Sequence, residues 1–426
     1  MGYASCIGRV GTLAAALGIG VGLLATPGVA AAKPSSSSSD GSSLTPDAPT
    51  TSDSPRRTAP GQNMAVATNG VVRVDKGTAT AISDGQGSVA IARGVDSSAL
   101  ASGGSKAFAR GAGATAIADP GRCDCAGSPN KAIASGDGST ATATGSGNTA
   151  VASGNYSTAT ATGIANTATA SGYDSTATAT GLSNTATASG AGSTATATGA
   201  GNTVTAHDSQ SDATAIGGGN TVSAYGYQTE VTVQGNANTV AIHGDPVAYQ
   251  DNATTAEVTG DNNKVTVFGG DTETRVEGDG NKVTVNGSSD PNTIFGGFSD
   301  IVGDNNVATV QGYESGVLIN GDGNQVRAGF GGSDAANFVQ VIGNDNTGEA
   351  GHGQFNEAGV YGNNSTAVAY GDENFAAVTG DNSSAVAGPG VNNEARADGP
   401  NSSAGALGTN STAEAGPNET VVVYTP

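Results

Sequence analysis

Residues 157–174 read STATATGIANTATASGYD, and this 18-residue text recurs with small changes on both sides of the stretch. Each half-repeat opens with Ser or Asn, alternates Thr with Ala and closes with Gly. The opening residues lie nine apart, at Ser139, Asn148, Ser157, Asn166, Ser175, Asn184, Ser193 and Asn202. Alternation with a period of two predicts β-strands, and Gly permits a tight corner after each strand. The stretch therefore predicts an all-β fold, a parallel β-solenoid of about 18 residues per coil in two nine-residue half-coils.

The bulkier later repeats indicate which face of the strands is inside. Counting the opening Asn or Ser as position one, Val265 and Val267 hold positions three and five, as do Val283 and Val285. Ala holds these positions in the earlier repeats, so we expect Ala and Val to form the core and Thr to face water. Val adds about 1.5 kcal/mol of burial over Ala at each site, so we expect a more stable solenoid after about residue 230. In the earlier repeats, backbone ladders and stacked Asn side chains must contribute more.

Composition limits the classes of function. The chain has 426 residues, of which 68 are Gly and none is Trp, which suits a narrow core. Its formal net charge is −21, and so acidic a protein repels phosphate backbones, which argues against nucleic acid as a partner. Roughly 20 stacked coils would make a rod on the order of 90–100 Å long.

The N-terminal residues predict export. Arg9 precedes an apolar stretch over 10–24, and the small residues at 30–32 suit cleavage, so residues 1–32 indicate a signal peptide and no membrane span in the mature chain. The leader resembles those of exported actinobacterial proteins. We expect a secreted or cell-wall-associated protein. The predicted segments are a signal peptide (1–32), a Ser/Thr/Pro-rich disordered linker (33–62), an N-terminal solenoid segment (63–136), an Ala/Thr-rich solenoid (137–245) and a Val/Asn/Asp-Gly-rich solenoid (246–426).

Apolar residues interrupt the outward face of the first repeats. With Ala inside, position four is held by Ile91, Leu100, Phe108, Ile117 and Ile133. A row of apolar side chains in solvent is typical of a contact surface, which predicts a homo-oligomer interface. The alternative is a wider first segment in which both faces are half buried.

The first repeats also resemble a known family. The motif SVAIARG at 88–94 and the recurrent A-x-A spacing over 86–245 are similar to the head repeats of trimeric autotransporter adhesins. That resemblance implies a β-roll that trimerises and binds a cell-surface or matrix partner. The stalk and the membrane anchor of that family have no counterpart in the sequence.

Thr residues predict a ligand-binding face. In the best-ordered repeats they would stack on one side of the solenoid, at Thr140, Thr142, Thr144, Thr158, Thr160, Thr162, Thr176, Thr178, Thr180, Thr194, Thr196 and Thr198. Flat Thr-x-Thr arrays resemble the ice-binding faces of β-solenoid antifreeze proteins. Thr is also a common residue at exposed strand positions, so the array alone does not decide the function.

Acidic turns and a cysteine pair are the remaining candidates. Asp261, Asp279, Asp304 and Asp322 would stack at one edge and repel each other, which calcium would relieve, although Asp is also an ordinary turn residue. Cys123 and Cys125 are disulfide candidates, either with each other or between chains.

The sequence offers no catalytic constellation. The three His residues are far apart and have no Ser-His-Asp order around them. We expect a non-enzymatic structural rod with adhesin-like binding and no cofactor, apart from the candidate calcium. Ice binding and a self-assembling fibre are the alternatives.

Overall fold

The computed structural model describes residues 63–121, 127–243, 254–268, 272–286, 298–312, 314–330 and 334–426. Across these ranges every regular element is a β-strand, so none of them holds a helix that could cross a membrane. The predicted signal peptide, the predicted linker, and Cys123 and Cys125 lie outside the described residues.

The strands are numbered in chain order. They are β1 Met64–Thr68, β2 Val71–Lys76, β3 Thr80–Asp84, β4 Val89–Arg93, β5 Ser98–Ser102, β6 Lys106–Arg110, β7 Thr115–Asp119, β8 Lys131–Ala134, β9 Thr140–Ser146, β10 Thr149–Ala152, β11 Thr158–Ile164, β12 Thr167–Ala170, β13 Thr176–Leu182, β14 Thr185–Ala188, β15 Thr194–Ala200, β16 Thr203–Ala206, β17 Asp212–Gly218, β18 Thr221–Tyr225, β19 Thr229–Asn236, β20 Thr239–His243, β21 Thr254–Val258, β22 Lys264–Phe268, β23 Glu273–Glu277, β24 Lys282–Asn286, β25 Phe298–Val302, β26 Val307–Gln311, β27 Gly316–Asn320, β28 Gln325–Ala328, β29 Phe338–Ile342, β30 Thr347–Gly351, β31 Glu357–Tyr361, β32 Thr366–Tyr370, β33 Phe375–Thr379, β34 Ser384–Val391, β35 Glu394–Asp398, β36 Ser403–Thr409, β37 Thr412–Ala415 and β38 Thr420–Thr425.

Two facing sheets make up the solenoid, as predicted. From β3 onward each strand pairs in parallel with the strand two places later, so successive half-coils alternate between the sheets. Sheet A holds the even-numbered strands together with β1, and sheet B holds the odd-numbered strands from β3. Thr158 of β11 pairs with Thr176 of β13, which is the predicted step of 18 residues. The pairing continues through all three predicted solenoid segments, so their boundaries mark changes of composition.

The solenoid has about 17 turns, fewer than the roughly 20 expected from the sequence. Some coils take more than 18 residues: the steps from Asn238 to Asn263 and from Asn281 to Asn306 are each 25 residues long. The first strands also add no regular coil, because β1 pairs antiparallel with both β2 and β4. At about 4.8 Å per coil the rod is roughly 80 Å long.

The core follows the predicted positions three and five. Val265, Val267, Val283 and Val285 are fully buried, and Ala fills the same positions in the earlier coils. The intervening Thr residues of the 139–200 repeats are half-buried on the outer faces of the sheets. The predicted inside and outside of the strands are therefore confirmed.

Buried asparagines at position one hold the corner that leads into sheet A. Asn184 is fully buried, and its Nδ2 donates to the backbone oxygens of Thr180 (2.8 Å) and Gly199 (2.7 Å). Its Oδ1 accepts the backbone N–H of Asn202 in the next coil at 2.9 Å. This arrangement, called the Asn ladder below, satisfies backbone groups that would otherwise be buried without partners.

The Asn ladder changes sides along the rod. At the sheet A corner it comprises Asn130, Asn148, Asn166, Asn184, Asn202, Asn220, Asn238, Asn263, Asn281, Asn306, Asn324 and Asn346. At the sheet B corner, position one is held by Asn337, Asn356, Asn374 and Asn393. The ladder at the sheet B corner begins at Asn337, before the ladder at the sheet A corner ends at Asn346. Ser365 takes the next position at the sheet A corner.

Candidate functional site

The predicted Thr face lies on sheet B. Strands β9, β11, β13 and β15 stack in register, with Thr142, Thr160, Thr178 and Thr196 forming the middle column. Two flanking columns run parallel to it, through Thr140, Thr158, Thr176 and Thr194 and through Thr144, Thr162, Thr180 and Thr198. All of these side chains are half-buried and face outward. We call this array of three columns and four rows the Thr lattice.

The corner beside the Thr lattice repeats the same contacts in every coil. Gly163 has φ +113°, and a Cβ there would lie 2.1 Å from the backbone oxygen of Gly181, so only Gly fits. Asn166 donates from Nδ2 to the backbone oxygens of Thr162 (2.8 Å) and Gly181 (2.7 Å). Because this geometry recurs, Thr spacing is uniform, at ~4.8 Å between coils and ~7 Å along a strand.

The opposite face of the same coils is narrower. On sheet A, Thr167 pairs with Thr185 and Thr169 pairs with Thr187, so two Thr columns run along this side. Strands β12 and β14 have four residues each, whereas β11 and β13 have seven. The Thr lattice on sheet B is therefore the broader of the two polar surfaces.

The predicted apolar row is divided between the two sheets. Ile91, Phe108 and Ile133 stack on sheet A, while Leu100 and Ile117 stack on sheet B. The expectation of one row was wrong because neighbouring half-coils belong to opposite sheets. The side chains do face outward and are half-buried, and Ala fills the core as elsewhere, so the first segment is not a wider roll. A homo-oligomer interface through these residues stays a prediction.

The four predicted Asp residues lie in successive coils at one corner. The backbone N–H of Asp261 donates to Oδ1 of Asp279 at 2.6 Å. Asp279 and Asp304 repeat this bond to the next carboxylate, each at 2.8 Å, and Asp322 donates at 2.8 Å to Oδ1 of Asn344. One oxygen of each carboxylate is thus used by the backbone, which is the ordinary turn role. The described residues hold no group of three or more His, Cys, Asp or Glu arranged for a metal ion, and calcium stays a prediction.

The histidines occupy two separate places. His207, Tyr225 and His243 stack along sheet A, with ring centroids 5.5 Å and 5.1 Å apart. The hydrogen bond between His207 and Asp208 lowers the pKa of that carboxyl below its usual value. His352 lies more than a hundred residues further on, so the structure does not bring the three histidines together.

A mixed aromatic and charged cluster on sheet A was not predicted. The ring of Phe330 stacks on His352 at 3.9 Å, and the guanidinium of Arg327 lies 3.9 Å over the same Phe330 ring. Tyr370 donates its hydroxyl to Glu349 at 2.9 Å. Burial, together with the hydrogen bond to Glu349, raises the pKa of Tyr370 to about 12. These residues come from successive sheet A coils of unequal length, so no fixed spacing in the sequence joins them.

Comparison of the sequence with models of protein families and with curated proteins finds no significant match in either. The resemblance to adhesin heads therefore rests on the repeat text and on a solenoid fold.

Proposed function

We propose that this chain is a non-enzymatic rod, exported to the cell surface or beyond, that binds a surface partner through the Thr lattice. The observation that carries the proposal is the register of three Thr columns over four consecutive strands of sheet B. A solenoid suits this role because each coil contacts only its neighbours, so its length can grow without a larger core.

The chemistry of the Thr lattice favours an extended partner over a small molecule. It is uncharged and evenly spaced, with a hydroxyl and a methyl group at each point. No single point offers strong binding, and affinity would come from many weak contacts made together. An adhesin-like partner such as a matrix protein or a glycan-coated surface meets that condition. Calcium at the Asp corner and self-association through the sheet B apolar residues Leu100 and Ile117 remain parts of this proposal.

A matched pair of variants tests the binding face. Thr160→Lys with Thr178→Lys alters the middle column of the Thr lattice, whereas Thr169→Lys with Thr187→Lys makes the same change on sheet A. The intact chain is immobilised and offered laminin, collagen and mucin separately. We expect saturable binding of at least one probe, lost in the first variant and kept in the second. Equal binding by both variants, or retention of none of the three probes, would contradict the proposal.

Ice is the second candidate partner, and the same register favours it. Thr hydroxyls at ~4.8 Å by ~7 Å form a regular two-dimensional array of the kind that can order water. The test is inhibition of ice recrystallisation by the intact chain. Activity that disappears with Thr160→Lys and Thr178→Lys, and survives Thr169→Lys and Thr187→Lys, would favour ice. Inactivity of the unmodified protein would exclude it.

A further inference from the structure

The N-terminal part of sheet A has a continuous apolar spine. Val66 pairs with Ile91, Ile91 with Phe108, Phe108 with Ile133, and Ile133 with Val151. Val74 of β2 extends the column by pairing with Val66. Each of these side chains is half-buried on the outer face of the sheet. The spine is six residues long, which is roughly 24 Å at the spacing of neighbouring strands.

Basic side chains flank this spine on both sides. Lys106 pairs with Lys131 in one flanking column, and Arg93 pairs with Arg110 in the other. Strand alternation places Lys106, Phe108 and Arg110 on the same face, and all four cations are exposed. None of the four makes an ion pair within the described residues. The ion pairs found there involve Asp208, Glu277 and Glu394, each with a different Arg or His.

Basic and acidic residues are unevenly distributed along the rod. The whole chain has 16 Lys and Arg against 37 Asp and Glu. Yet Asp75 is the one acidic residue within β1, β2, β4, β6, β8 and β10. Asp137 lies in the turn after β8, but its Oδ1 accepts the backbone N–H of Ala112 at 2.7 Å. A basic face on an otherwise acidic protein attracts an anionic surface and orients the protein on it.

We propose that this face docks on a lipid bilayer that carries anionic headgroups. The spine would enter the headgroup region while the flanking lysines and arginines contact lipid phosphates. Interfacial amphipathic elements have the same arrangement, with apolar residues in the centre and long basic side chains beside them. In this arrangement the sheet lies on the bilayer without crossing it.

The composition of the spine favours lipid over the other anionic partners. Its members are Val, Ile and Phe, which insert into an apolar layer but offer no hydrogen bonds to sugar hydroxyls. A second copy of the chain would have to present apolar and acidic groups together in a matching strip. The proposal is independent of the Thr lattice, which lies on the opposite sheet and further along the chain.

The test is co-sedimentation of the intact chain with vesicles. Phosphatidylcholine vesicles are compared with vesicles that also contain phosphatidylglycerol, at low and at raised salt. We expect binding only where phosphatidylglycerol is present, weakened by salt. Lys106→Gln with Lys131→Gln should reduce the partition coefficient about 25-fold, at about fivefold for each cation. Phe108→Ser should also weaken binding while the β-sheet circular dichroism stays unchanged.

The chain supplies a matched control for the lysine variant. Lys264 and Lys282 are also an exposed, register-paired couple on sheet A, but the column beside them holds Thr266 and Thr284 instead of apolar residues. Lys264→Gln with Lys282→Gln should leave vesicle binding unchanged, and an equal loss in both variants would overturn the proposal.

Three other results would also overturn it. The first is equal binding to neutral vesicles. The second is retention by an anionic polysaccharide such as heparin without any vesicle binding. The third is self-association in the ultracentrifuge that is abolished by Phe108→Ser, again without vesicle binding, which would assign the spine to a second copy.

Discussion

The Ala/Thr-rich coils and the Val-rich coils have the same backbone plan but different cores. In the first region Ala177 and Ala179 fill the inward positions of a strand, while in the second Val283 and Val285 do. Asn184 and Asn281 hold the corresponding corners with the same kinds of hydrogen bond. The corner contacts are thus independent of core size, and the two regions differ in how much apolar surface accompanies them.

The larger core comes with irregularities. Thr274 and Ser299 occupy inward positions of sheet B, and their hydroxyl groups are buried without a hydrogen-bond partner within the described residues. Coils in this region also reach 25 residues, whereas those over 139–206 keep to 18. An unpartnered buried hydroxyl costs about 1–3 kcal/mol, which offsets the gain of about 1.5 kcal/mol from one or two Ala-to-Val replacements. Greater stability after residue 230 therefore remains a prediction.

The largest effect should come from a charge in the Val core. Val283→Asp places a carboxylate where Val283 is fully buried, which costs several kilocalories per mole, whereas Thr284→Asp changes the solvent-facing side. We expect urea to unfold Val283→Asp at a much lower concentration than the parent, and Thr284→Asp close to it. Similar midpoints for the two variants would mean that inside and outside have been reversed.

The next largest effect should come from the Asn ladder. Asn184→Ala removes the donor to Thr180 and Gly199 and the acceptor for Asn202, which leaves several backbone groups buried without partners. We expect a loss of roughly 2–4 kcal/mol in the free energy of unfolding.

Ser175→Ala is the control for that variant at the other corner. Ser175 makes one side-chain bond, from Oγ to the backbone oxygen of Gly172 at 3.0 Å, so its removal should cost about 1 kcal/mol. Equal losses for the two variants would show that the amides are not special.

The features of the solenoid that depend on periodicity could be predicted from the sequence. The fixed step of 18 gave the strand register, and Val at positions three and five revealed the inner face, because both signals are local. The prediction of a single apolar row was wrong because it did not consider that consecutive half-coils alternate between the two sheets. Ile91 and Leu100 lie in consecutive half-coils and therefore face opposite ways. The cluster around Phe330 and His352 could not be read at all, since unequal coil lengths decide which side chains meet.

The smallest expected effect is that of calcium, which would act only on the second region. If calcium binds the folded Asp corner, a concentration of ten times its Kd should add about 1.4 kcal/mol of stability. Asp279→Asn keeps an oxygen for the backbone N–H of Asp261 but removes a charge, so it should abolish the gain. Identical melting of the intact chain in calcium and in chelator would show that calcium does not bind the folded Asp corner.

Hydrogen exchange in Asn184→Ala and Asn281→Ala tests most directly whether polar corners carry more of the stability where the core is Ala. The same side-chain atoms are removed from the same ladder in both variants, while the neighbouring core is Ala at Asn184 and Val at Asn281, where the next coil also has 25 residues instead of 18. We expect extensive loss of amide protection in β12, β14 and β16 for Asn184→Ala, and a smaller loss in β22, β24 and β26 for Asn281→Ala. Equal loss in the two regions, or greater loss around Asn281, would contradict this expectation.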